Sequence, residues 1–300
     1  MPSQEMLALM ETLRQRQRAG ADQPPVTVAE ARASFAPAGP VHPLPDDVVV
    51  TDVRAGGVPA HWLDAPGVDP GRVLLFLHGG GYEFGSLHSD GELAARLGRA
   101  GGMRVLFVEY RLAPEHPFPA AIDDVLAVWR WLRTDQRLSA ASMAVAGDSA
   151  GGGLAVALLV ATRDAGDALP AAVVLMSPTV DLTSSGESMT ERVEDDPIST
   201  PALLQQLAAD YLAGADPRTP LASPLFASLS GLPPMLVQVG TSDLLLSDSE
   251  RLVAAATEAG VDARLQVGDG LPHVYQLMLG TPEAVEATER IGRFLRERVR

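Results

Sequence analysis

The chain has no cysteine in 300 residues, which excludes disulfides and thiolate metal sites. Aromatic residues are scarce, at 5%. Basic side chains number 23 against 38 acidic ones, for a net charge of −15. That deficit argues against nucleic acid and anionic membrane surfaces as partners, and it repels polyanionic substrates. Long hydrophobic runs are missing too. The longest apolar stretch, Ala150 to Ala161, is too short to span a bilayer, so no integral membrane segment is predicted. Met6 to Met10 is too short for a signal-peptide core and has acidic and polar flanks. The expectation is a soluble, cytoplasmic protein. No H-E-x-x-H pattern occurs, which disfavours metal-dependent hydrolysis; no metal and no cofactor are expected.

What is present is a hydrophobic content of 46%, ample for a core, and a continuous β-α alternation without internal repeats. One α/β domain carrying a cap fits that pattern better than two small domains.

The most informative segment is Gly147-Asp148-Ser149-Ala150-Gly151. Met143 to Ala146 reads as a buried strand and Gly152 to Ala165 as a small-residue helix. A serine between them has the form of a nucleophile elbow, a sharp turn that lifts its hydroxyl above the sheet. With 28 Gly and 18 Ser, chance supplies about 0.16 copies of G-x-S-x-G, so the context must decide. Upstream, the apolar run Val73 to Leu77 leads into His78-Gly79-Gly80-Gly81-Tyr82. This has the form of a loop that offers backbone N–H groups to an oxyanion. No Lys-Ser/Thr pair follows, and the dinucleotide G-x-G-x-x-G spacing is absent, so a phosphate loop is disfavoured.

An acyl-transfer serine needs a base and a group that orients the base. In this architecture the chain order is Ser, Asp or Glu, then His. Only His273 follows Ser149; the other five histidines precede it. Asp243 stands just beyond the strand Pro234 to Val239, at the end of strands where catalytic groups gather in open α/β sheets. Asp248 and Asp181 are its rivals. Asp248 falls at a helix start, where an acid is ordinarily a cap or a solvated side chain.

These segments, with Tyr110 to Ala120 and Asp243-Leu244-Leu245, resemble the hormone-sensitive-lipase-like branch of the α/β-hydrolases, the bacterial carboxylesterases. The resemblance runs from about residue 45 to the C-terminus. It implies an eight-stranded, mostly parallel sheet flanked by helices, with a helical cap, and cofactor-free hydrolysis of carboxylic esters. By matching positions it implies Ser149 as nucleophile, Asp243 and His273 as the rest of a triad, and an oxyanion hole from the N–H groups of Gly79, Gly80 and Ala150. The chain departs from the family where Asp-Pro-Leu becomes Asp243-Leu244-Leu245, and where His-Gly-Phe becomes His273-Val274-Tyr275. Neither departure removes a reacting group; both alter the pocket wall. The proline-rich 110–120 segment reads as a scaffold for the glycine loop and the elbow.

Residues 1–45 are expected to form an N-terminal cap segment and 46–300 the catalytic domain, with a second cap piece at about 184–214. Met6, Leu9, Met10 and Leu13 recur at helical spacing, so Ser3 to Arg18 predicts an amphipathic helix. Pro24-Pro25 would end it, Val28 to Phe35 would give a second short helix, and Pro201 to Tyr211 a third. Tyr82, Phe84 and Tyr275 lie beside motif residues and are candidates to line the substrate pocket. The expected partner is a small ester of short-to-medium acyl chain. Amide cleavage and acyl transfer with the same triad stay open, as does a non-catalytic receptor on the same fold. A homodimer is compatible with this reading, and no interface for one is legible.

Overall fold

The computed structural model describes residues 1–21, 28, 32 and 43–300. Helix α1 spans Gln4–Ala21. The antiparallel pair β1 (Val49–Ala55) and β2 (Val58–Asp64) follows, then β3 (Asp69–Leu77) and helix α2 (Leu87–Gly101). The rest alternates: β4 (Met103–Val108), α3 (Ala120–Thr134), β5 (Met143–Asp148), α4 (Ser149–Asp164) and β6 (Ala172–Met176). Two helices, α5 (Ser188–Glu191) and α6 (Pro201–Leu212), interrupt the alternation. It resumes with β7 (Met235–Ser242), α7 (Leu246–Glu258), β8 (Ala263–Pro272) and α8 (Pro282–Arg298). The second short helix expected at Val28 to Phe35 and the Pro24-Pro25 break lie outside the described residues, apart from Val28 and Arg32.

All strands join one eight-stranded sheet in the order β1-β2-β4-β3-β5-β6-β7-β8, parallel from β4 to β8. Parallel neighbours need crossover helices, and those helices cover both faces. The strand sequences show why. Val73, Leu75 and Leu77 of β3 point into one core with Val145, Trp129 and Leu154, while Leu74 and Phe76 point into the other with Leu93, Ile291 and Phe294. Successive side chains alternate between faces, so a strand buried on both sides must be apolar throughout.

Capping chemistry fixes several helix starts. Ser86 and Ser89 form a reciprocal box at α2, and the Thr-Pro pairs Thr200-Pro201 and Thr281-Pro282 open α6 and α8 with the threonine oxygen accepting from Leu203 and Ala284. Helix α4 starts at Ser149 itself, three residues earlier than its apolar composition suggests. Among the described residues, no helix is long and apolar enough to cross a membrane.

Candidate active site

Parallel pairing brings the chemistry to one edge. The register sets Leu77 of β3 beside Gly147 of β5, so the loop after β3 meets the turn after β5. β7 and β8 end alongside at Ser242 and Pro272, immediately before Asp243 and His273. Four carboxyl ends therefore deliver His78-Gly79-Gly80-Gly81, Ser149, Asp243 and His273 to one rim.

The turn at Ser149 is strained. Its φ is 50°, a left-handed conformation that non-glycine residues seldom adopt. Its flanking glycines are required by contact. A Cβ at Gly147 would collide with the Gly151 carbonyl, and one at Gly151 with the Leu77 carbonyl. The Ser149 carbonyl accepts from Thr179, which ties the turn to the loop after β6.

His273 Nε2 lies 3.0 Å from Ser149 Oγ. Its Nδ1 lies 3.1 Å from both oxygens of Asp243. A carboxylate only accepts, so Nδ1 carries the hydrogen and Nε2 of the neutral ring is left to accept from the serine hydroxyl. Asp243 is wholly buried and also accepts from the Leu245 N–H at 2.8 Å. Burial disfavours a charged imidazole at His273. The charge and hydrogen bond of Asp243, with the charges of Asp196 and Asp148, outweigh it and raise the pKa from 6.5 to about 9.

The glycine loop is held from outside. Tyr110 donates its hydroxyl to the His78 carbonyl at 2.7 Å, and the Ala113 N–H donates to the Tyr82 carbonyl at 2.9 Å. The 110–120 segment thus braces the loop, as a scaffold would.

A family profile described as the alpha/beta hydrolase fold matches residues 74–277. An acetyl-hydrolase of Streptomyces hygroscopicus is 45% identical over 255 residues, 84% of this chain and 83% of that protein. An esterase of Acinetobacter venetianus is 34% identical over 249 residues, 82% of each chain. The crystal structure of an esterase from the bacterial hormone-sensitive lipase family superposes with a TM-score of 0.95 at 43% identity, covering 100% of both chains. The chain belongs to the α/β-hydrolases, in their bacterial hormone-sensitive-lipase-like branch.

Within this hydrolase several sequence expectations need correction. Gly79 does not offer a free N–H: it donates to Asp148 Oδ1 at 3.1 Å. The N–H groups of Gly80, Gly81 and Ala150 donate to no described residue. Gly81, which motif matching left out, lines the cavity beside Ser149. Asp148 itself is buried, and burial followed by the charge of Asp90 pushes its carboxyl well above the usual range.

Asp248 is neither a solvated cap nor an alternative acid. It is buried and accepts the Val180 and Asp181 N–H groups at 2.9 and 3.0 Å, and burial first raises its pKa to about 7. Asp181 pairs with Arg251 at 2.8 Å.

A cavity of about 400 Å³ opens beside Ser149 and His273. Tyr82, Phe84 and, from α6, Leu203, Leu204 and Leu207 line it. Tyr82 also stacks on Tyr211 with ring centroids 3.7 Å apart. Tyr275 does not reach the cavity. It packs with Met6, Met10, Leu271 and Met278, beneath α1. Among the described residues none of α1 lines the cavity either; Gln17 instead donates to the carbonyls of Asp196 and Ser199, at 3.4 and 3.2 Å. Among the described residues no group of three His, Asp or Glu side chains is placed to hold a metal ion.

Proposed function

We propose that this carboxylic ester hydrolase works through an acyl-serine formed on Ser149, with His273 as base and Asp243 as its orienting acid. The observation that carries the reading is the unbroken chain from Ser149 Oγ through His273 to a buried Asp243, at 3.0 and 3.1 Å. As the serine oxygen bonds to the ester carbonyl carbon, its proton passes to Nε2. Asp243 keeps the ring in the working tautomer and stabilises the imidazolium. The imidazolium then gives its proton to the departing alkoxide, and alcohol leaves. Water repeats the sequence on the acyl-serine, releasing the acid and restoring the serine.

The oxyanion is assigned to the N–H groups of Gly80, Gly81 and Ala150. Their support is that each lacks another acceptor among the described residues, while the N–H of Gly79 is taken. Each such donor is often worth about 3 kcal/mol to the transition state. Ala150 also sits in the first turn of α4, where the helix dipole favours negative charge.

Residues 184–214, supported from behind by α1, are read as the cap over the acyl site. Met189, Ile198 and the leucines of α6 support this, since they line the same cavity as the glycine loop, with Leu207 against Gly81. The mostly apolar wall and modest volume favour neutral esters of short-to-medium acyl chain. The similarity to a protein named acetyl-hydrolase points the same way.

A series of p-nitrophenyl esters from acetate to palmitate tests the reading, with Ser149→Ala as control. Rapid release from the short esters that vanishes in the variant is expected. Wild-type turnover by Ser149→Ala would overturn it.

A further inference from the structure

We infer that Asp196, in the segment 184–214, is a positioning residue for the acid and base. It keys the cavity wall to the Asp243 loop and supplies a second carboxylate to the imidazole. The inference rests on the triad reading above and adds a member that does not touch the reacting atoms.

Asp196 is 2% exposed, and its two oxygens serve two different parts of the fold. Oδ1 accepts the N–H groups of Ile198 and Ser199, at 2.8 and 2.9 Å, closing a turn in its own segment. Oδ2 accepts the N–H of Leu244 at 3.0 Å. Leu244 directly follows Asp243. Ile198 and Ser199 both line the cavity. One buried side chain therefore spans from the substrate wall to the residue next to the triad acid, 48 positions away in sequence. Helix α1 clamps the same turn from outside through Gln17.

The electrostatics agree with the geometry. No arginine faces Asp196 in an ion pair among the described residues. The groups that face it are Asp243, from the loop after β7, and His273, after β8; Asp148, at the end of β5, faces the same imidazole. Burial, then the charge of Asp243, raises the Asp196 carboxyl; His273 and the N–H groups of Ser199 and Leu244 act in the opposite sense. A carboxylate placed this way stabilises the imidazolium at a distance, while Asp243 alone orients the ring.

Asp196→Asn separates the roles. The amide oxygen still closes the turn at Ile198 and Ser199, but an NH₂ faces the Leu244 N–H and the charge is gone. On a short p-nitrophenyl ester, kcat should fall about tenfold with KM little changed. The acid limb of kcat/KM should move to lower pH by roughly half a unit, as a weaker field lowers the imidazole pKa. In the wild type, the Leu244 amide proton and the His273 ring protons, followed by NMR against pH, should share an inflection; this measurement needs no variant to fold. A folded Asp196→Asn with an unmoved pH limb, or independent titrations in the wild type, would overturn the inference. Wild-type turnover by Ser149→Ala would instead remove the triad reading beneath it.

Discussion

Gly79 donates its N–H to Asp148 Oδ1 across 3.1 Å, joining the first glycine of the loop to the residue before the serine. The bond spans 69 positions of sequence and fixes the loop against the elbow. Gly79 has no room for a side chain, because a Cβ there would run into the Asp148 carboxylate. The tie occupies that N–H, so in the proposed oxyanion hole Gly80 and Gly81 donate instead. Asp148→Asn retains an oxygen acceptor and should keep kcat within about fivefold of wild type, whereas Asp148→Ala, which leaves the Gly79 N–H buried and unpaired, should lower kcat about 10²-fold. Steady-state rates on one short ester compare the two.

Asp243→Asn should leave the fold intact and lower kcat by roughly 10³- to 10⁴-fold, because the amide no longer selects the Nδ1–H tautomer. His273→Ala should cost a similar amount or more, and combining the two should add little, since residues acting as one unit are not additive. Single and double variants assayed side by side, with circular dichroism to check folding, test this.

With His273 as the proposed base, its environment should make activity rise toward alkaline pH. Its pKa is raised from 6.5 to about 9: burial opposes the charged ring, and Asp243 with its neighbouring carboxylates overrides it. The base must be neutral to accept the serine proton, so kcat/KM should climb with pH through a midpoint above 6.5. Stability runs the other way. A pKa raised on folding stabilises the protein fully below the unfolded value of 6.5, and that contribution is lost as pH rises through about 9. A pH–rate profile and a denaturation series over roughly pH 6–10, which brackets both values, should therefore slope in opposite directions.

Sequence periodicity and motif chemistry made much of this legible. Glycines at 147 and 151 are imposed by backbone contacts, and such requirements are written into the sequence as residue types. The order Ser149, Asp243, His273 follows from successive strand ends, which the β-α alternation exposes. Other features depend on packing between distant segments. The bond from Gly79 to Asp148 exists only because β3 and β5 are adjacent. Tyr275 stands two residues from His273, yet its ring turns under α1 against Met6 and Met10. Asp248 looks like a helix-start acid, but the loop after β6 folds over it and its N–H groups occupy the carboxylate. Nothing in local composition distinguishes these from ordinary surface positions.

Leu207 of α6 stands against the glycine loop, where a Cβ at Gly81 would lie 2.5 Å from its Cδ1. It also lines the cavity. Leu207→Trp should therefore reduce kcat/KM for p-nitrophenyl octanoate relative to acetate by about tenfold or more, on the scale of one or two misplaced methylenes. Equal losses for both esters would place the acyl chain elsewhere.

The acyl-serine is the central claim, and the covalent intermediate is the direct place to test it. Rapid quenching with p-nitrophenyl butyrate, followed by intact-mass measurement and peptide mapping, should find one butyryl group per chain on the peptide holding Ser149. The adduct should be absent from Ser149→Ala. An adduct on another residue, or full turnover by Ser149→Ala, would contradict the account.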